Sequence, residues 1–253
     1  DRCAILWDVE TGEQKRVLDR FRRDVYDLRF LGDGETLIVG SVDVTFWNVE
    51  TGRRTSVIEL DVDCVRSLAP SPDDDTLAVT TLNRDRTFTA SLYGLASGKL
   101  KRRLGDEELG VYRICFSPDG ERLAGTCYSR TDGPSVRIWD TKTGEVQTIL
   151  TPNSKQIWAI AFSPDGRQLA SGGAGHSVTE VGIRGERKLS ALTIWDVPSE
   201  RKRLFLDGEL GRVNSVCFSP DGKRLAYCDH RSVSVVDTKL GGVIWKERYG
   251  LNR

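Results

Sequence analysis

An all-β fold assembled from one repeated four-stranded unit is what this sequence predicts, on three observations. The phrase FSPDG occurs at Phe116–Gly120, Phe162–Gly166 and Phe218–Gly222, with looser versions at Phe30–Gly34 (FLGDG) and Pro70–Asp74 (PSPDD). A second phrase, clearest as IWD, has its middle residue at Trp7, Trp47, Tyr93, Trp139, Trp195 and Val236. The first marker steps by 40, 46, 46 and 56 residues and the second by 40, 46, 46, 56 and 41, so two independent anchors share one spacing. Finally, no stretch carries the 3.6-residue apolar period of a helix.

Within each unit the elements follow in order. The first strand is apolar and rich in β-formers, as in Ile157–Phe162 (IWAIAF). Ser-Pro-Asp-Gly then makes a tight hairpin: Pro presets φ, Asp binds local backbone, and Gly accepts positive φ. A second strand follows, Arg167–Ser171 (RQLAS) or Lys223–Tyr227 (KRLAY). After a variable loop the third strand ends on Trp-Asp, as in Val136–Asp140 (VRIWD), and Thr141-Lys142-Thr143-Gly144 turns the chain into the fourth, EVQTIL.

The FSPDG turns, the strand ending in Trp-Asp, the Thr-Gly turn and the period together make the chain resemble the WD40-repeat family along nearly its whole length. The resemblance implies a WD40-type β-propeller, its four-stranded blades set around a central channel. On this reading the recurring phrase is a structural hinge used once per blade.

The match departs in places. The family's Gly-His before the first strand is missing from every repeat, so the buried His–Asp–Ser/Thr–Trp network common in the family cannot form in its usual version. The blade at 61–105 is degenerate, with Pro70 and Tyr93 at the usual Phe and Trp positions, and blades weaker than the family average are expected. Five blades are complete, at 20–60, 61–105, 106–150, 151–207 and 208–253, while residues 1–19 supply a half blade of third and fourth strands only. The expected ring is therefore incomplete, within a single propeller domain. Leaving a blade face wet forgoes on the order of 10 kcal/mol, comparable with the whole stability of a domain. The absence of any methionine also suggests a longer native chain that closes with six or seven blades.

Connectivity sorts the loops. With each first strand running from top to bottom, the stereotyped turns fall on the bottom and the irregular loops on the top, where binding chemistry is expected. Three top features supply candidate partner-binding residues. The second residue of each first strand, at the expected channel mouth, reads Tyr26, Arg66, Tyr112, Trp158 and Asn214. Aromatics and Arg are enriched at interface hot spots, and packing between blades is the alternative role for the rings. An insertion between Gly172 and Leu192, about 15 residues longer than its counterparts, contributes His176, Arg184, Arg187 and Lys188. Arg231 stands in a further top loop, with Arg22, Arg23, Arg84, Arg86 and Arg130 in others and acidic neighbours diluting them.

Composition narrows the function classes. The chain has 253 residues, 37 basic and 37 acidic side chains, and no net charge, which argues against general affinity for nucleic acid. No apolar run approaches the roughly 20 residues of a membrane span. The six cysteines form no C-x-x-C pair and read as free core thiols, consistent with a reducing, cytoplasmic location. The two histidines, His176 and His230, sit in no metal-ligand spacing, and nucleophile-elbow, phosphate-loop and dinucleotide motifs are absent. No cofactor or catalysis is expected. The leading expectation is a non-catalytic scaffold binding a protein or peptide partner, with possible additional domains in the full-length chain. Two rivals stand beside it: a regulatory or sensing propeller fused to a catalytic domain such as a protein kinase, and a propeller hydrolase or lyase acting at the channel mouth.

Overall fold

Apolar residues alternate along short strands between Pro-Asp-Gly and Thr-Gly turns, a pattern that folds into hairpins sharing edges. The computed structural model describes residues 2–18, 21–105, 109–152, 154–175, 177–178, 187–188, 190–208 and 212–249. Among these there is no helix. A half sheet pairs β1 (Ile5–Trp7) with β2 (Gln14–Val17). Five four-stranded antiparallel sheets follow. The first is β3 (Asp27–Phe30), β4 (Thr36–Gly40), β5 (Val44–Asn48) and β6 (Arg54–Ile58). The second is β7 (Cys64–Pro70), β8 (Thr76–Leu82), β9 (Phe88–Gly94) and β10 (Leu100–Leu104). The third is β11 (Leu109–Phe116), β12 (Arg122–Ser129), β13 (Gly133–Asp140) and β14 (Val146–Leu150). The fourth is β15 (Ser154–Phe162), β16 (Gln168–Gly175), β19 (Ser190–Asp196) and β20 (Arg201–Gly208), and its insertion forms the small hairpin β17 (Ser177–Val178) and β18 (Arg187–Lys188). The fifth is β21 (Ser215–Phe218), β22 (Arg224–Cys228), β23 (Ser232–Asp237) and β24 (Val243–Arg248). Their number and strand order match the five four-stranded units and the half unit that the repeat predicts. The chain divides into two compact units, Asp1–Ile114 and Cys115–Arg253.

Within each unit the core lies between successive sheets. In the first unit, Ile38, Val44, Phe46 and Ile58 pack on Val65, Leu68, Leu77 and Val79 of the next sheet. In the second, Ala124, Val136, Ile138 and Leu150 meet Ile157, Leu169 and Trp195, and Ala170, Leu192 and Ile194 meet Val216, Phe218, Leu225 and Val236. Two glycines allow the close approach: a Cβ on Gly40 would stand 2.6 Å from Val65, and one on Gly172 2.4 Å from Val213. With Ala4 and Leu18, the half sheet buries Leu37, Val39 and Trp47 of its neighbour. Because the half sheet has no inner strands, Leu28 and Phe30 of β3 remain 42% and 50% exposed.

The turn phrase is a closed hydrogen-bond cassette. In the fourth sheet the Ser163 hydroxyl donates to Asp165 Oδ1 at 2.6 Å, Asp165 accepts from the Arg167 amide at 3.0 Å, and Ser163 Oγ accepts from the Gln168 amide at 2.8 Å. Gly166 takes φ 66°. The same bonds recur around Ser117 and Ser219. The degenerate second sheet keeps all four strands: Asp74 occupies the glycine position at φ 53°, and its carboxylate accepts from the Gly32 amide of the preceding turn at 2.9 Å. The Asp that closes the third strand of the third, fourth and fifth sheets caps the next turn, as Asp140 does by accepting from the Lys142 and Thr143 amides at 2.8 Å.

Buried indole-to-hydroxyl hydrogen bonds form in some sheets and not in others. Trp195 Nε1 donates to Ser171 Oγ at 3.0 Å, and Trp47 Nε1 donates to Thr45 Oγ1 at 2.9 Å. Trp139 Nε1 is buried with no acceptor, because Gly125 stands where the fourth sheet has Ser171, two residues beyond the Leu paired with each Trp. Gly125→Ser is expected to be more stable than Gly125→Ala by about 1 kcal/mol in urea unfolding, the worth of one buried hydrogen bond; equal stabilities would show that the indole is not reached.

Ser hydroxyls at Asp119, Asp165 and Asp221 hold these carboxylates below the ordinary aspartate value. A carboxylate with a depressed folded-state pKa contributes stability above its unfolded value, near 4, and loses that contribution as pH falls through the folded value. Melting temperature is therefore expected to hold near neutral pH and decline below about pH 4, and the decline should be shallower in Asp119→Asn/Asp165→Asn/Asp221→Asn. An unchanged acid slope in that triple variant would assign the effect to other groups.

Candidate functional site

The first strand of each sheet enters with a residue whose side chain is not taken up by the inter-sheet cores, and the structure brings several of these together. Tyr26, immediately before β3, is 40% exposed. The guanidinium of Arg66, on β7, lies over its ring with Cζ 4.6 Å from the centroid. In the second unit Trp158 of β15 is half-buried, and Arg212, just before β21, stacks over its indole at 3.6 Å. In both cases an Arg from one sheet covers the aromatic of the sheet before it.

Beneath Tyr26 lies a charge cluster. Asp27 is 9% exposed, and its Oδ2 accepts from the Leu68 amide at 2.9 Å and from the Ser67 hydroxyl at 3.3 Å. The same oxygen is 3.3 Å from Arg29 Nη2 and 3.9 Å from Arg113 Nη1. Arg29 Nε donates to the Leu68 carbonyl at 3.2 Å and Arg113 Nη1 to the Arg66 carbonyl at 3.1 Å. Burial presses Arg113 below the usual arginine pKa; Asp27 opposes that shift, and the charges of Arg66 and Arg29 add to it. Two guanidinium groups, Arg29 of β3 and Arg113 of β11, thus share one carboxylate with Arg66 of β7 close by, and the patch carries excess positive charge.

The other sequence-derived candidates are placed as follows. The Tyr112 ring packs on Phe88 with centroids 4.2 Å apart, and its carbonyl accepts from Thr80 Oγ1 at 3.0 Å. Asn214 is exposed before β21, its amide donating to the Cys228 carbonyl at 2.9 Å. Arg231 is exposed in the turn joining β22 to β23, its amide donating to Asp229 Oδ1 at 2.7 Å. Arg187 and Lys188 form β18, opposite Val178 and Ser177; their side chains are outside the described residues, as are His176 and Arg184 altogether.

Sequence reading took one position per first strand and so missed Asp27, Arg29 and Arg113. A signal was present in the period of two: positions 27 and 29 share a face of β3. Arg212 precedes its strand and carried no signal until folding set it over Trp158.

Little else among the described residues suggests chemistry. No three His, Cys, Asp or Glu side chains are grouped to hold a metal ion. All six cysteines are free; burial pushes the Cys127 thiol up to about 12 and raises Cys64 as well, so neither supplies a ready thiolate. An open groove bounded by Pro164, Asp165, Gln168, Pro220, Asp221 and Lys223 is lined by the turn cassettes, whose carboxylates are already bonded.

A family model described as "WD domain, G-beta repeat" matches residues 98–140, 144–179 and 201–237. A search of the curated proteins found no match.

Replacing Asp27 by Asn removes the one carboxylate shared by Arg29 and Arg113. The expected loss in urea unfolding is about 1–2 kcal/mol, modest because both guanidinium groups keep solvent contact. A loss that is the same at low and at molar salt would mean the cluster acts through packing and not through charge.

Proposed function

Because the chain belongs to the WD40-repeat family, whose repeats mark protein-interaction scaffolds in general, we propose that it is a non-catalytic interaction module. It holds protein or peptide partners on the loops and strand entries at the start of each blade. One observation carries this reading. The polar groups of the repeated turns are consumed in local hydrogen bonds, whereas the first-strand entries carry guanidinium groups laid over the half-covered rings of Tyr26 and Trp158. Those are the side chains that anchor protein interfaces, combining large contact area with directional donors. A fixed sheet beneath them lowers the ordering penalty of binding.

Tyr112→Ser and Trp158→Ser test the reading when the tagged protein is used to capture partners and bound species are quantified by mass spectrometry. Species enriched by the parent are expected to fall at least tenfold, with the far-UV spectrum and the melting midpoint near the parent's. Undiminished capture by well-folded variants would place the interaction surface elsewhere.

A further inference from the structure

The rings chosen from sequence as hot spots are not bare. Tyr26 lies under the Arg66 guanidinium and Trp158 under that of Arg212, so a partner arriving at either entry meets a guanidinium plane before it meets an aromatic face. Stacking uses the face of the guanidinium and leaves its N–H rim for an acceptor. At 3.6 Å the Arg212–Trp158 pair is in van der Waals contact, which fixes the plane and limits the rotamer entropy lost on binding. Neither arginine is ion-paired with a described carboxylate, in contrast to Arg29 and Arg113, which share Asp27. Arg66 has these two further positive groups close by, and the Asp27 carboxylate among them is already engaged by backbone and hydroxyl donors. The device occurs twice, in different sheets and with different aromatics, so it is not an accident of one loop.

We propose that Arg66 on Tyr26 and Arg212 on Trp158 are anion-recognition points for a peptide partner, each taking a carboxylate or phosphoryl group in a two-pronged hydrogen bond. This rests on the interaction-module reading and narrows it: the partner segment is acidic, from Asp and Glu or from phosphorylated side chains, and not apolar. Planar guanidinium groups match both acceptors. A chain of zero net charge confines the attraction to these points and does not spread it over the surface.

The test uses fluorescence anisotropy with three labelled decapeptides that alternate Gly with Glu, with phosphoserine or with Gln, and a labelled uridine decamer. The intact protein should bind one or both acidic peptides at least tenfold more tightly than the Gln peptide, and binding should weaken as salt rises. The ratio between Glu and phosphoserine peptides names the source of the anion. Arg66→Gln/Arg212→Gln should weaken binding about tenfold with unchanged melting temperature, and each single substitution should remove one of two independent sites. Arg66→Lys and Arg212→Lys should recover only part of it, because the charge is kept while the stacked fork is lost. Acidic peptides binding no better than the Gln peptide, or Gln variants binding as well as the parent, would overturn the proposal. Equal, arginine-dependent binding of the RNA would overturn the assignment to a peptide. Partner capture with the Arg66→Gln/Arg212→Gln variant separates the two readings: capture kept there but lost in Tyr112→Ser leaves the interaction module standing without its anion sites.

Discussion

Each sheet of this chain has two apolar faces, and every Å² of apolar surface removed from water is worth roughly 25 cal/mol. No sheet therefore stands alone. Phe46 and Ile58 are buried because Val65 and Leu77 of the next sheet meet them, and Ile194 is buried because Val216 and Leu225 do. Where a neighbour covers only part of a face the effect is visible at once: the half sheet β1–β2 protects Trp47 and Leu37 but leaves Phe30 half-exposed. The same constraint explains the glycines at Gly40 and Gly172, where a side chain would hold successive sheets apart.

That dependence on neighbours leaves the turns free to be self-sufficient. Ser, Asp and Gly of the hairpin satisfy one another within five residues, so the cassette can be repeated without reference to what lies beside it. It also survives damage. The second sheet lacks the Phe, the Gly and the Trp of the pattern, yet Asp74 takes the left-handed position and turns its carboxylate to the neighbouring turn. What that sheet needed was apolar faces, and Leu68, Leu77 and Val79 supply them.

The strand entries lie outside both constraints. Side chains there are not needed for the core or the turns, and adjacent first strands are near enough for a long Arg of one to cover the ring of another. Stacking converts two flexible cations into oriented ones. The Asp27 cluster instead engages Arg29 and Arg113 with one carboxylate and backbone carbonyls, tying β3, β7 and β11 together.

The repeated phrases by themselves determined the number of sheets, the order of strands within each and the positions of the turns, because all of these depend on contacts within a few residues or on a two-residue alternation. Even the half sheet at the start was legible, since Trp7-Asp8 and Thr11-Gly12 name it as a third and fourth strand. The sequence also pointed to Tyr26, Arg66 and Trp158, but as separate hot spots. Only the tertiary structure decided that Arg66 belongs to Tyr26 across 40 residues, that Arg212 belongs to Trp158, and that Trp139 has lost its acceptor. Those pairings depend on the spacing and twist between separate sheets, which is set by how whole faces pack and leaves no mark in the local pattern of any one strand.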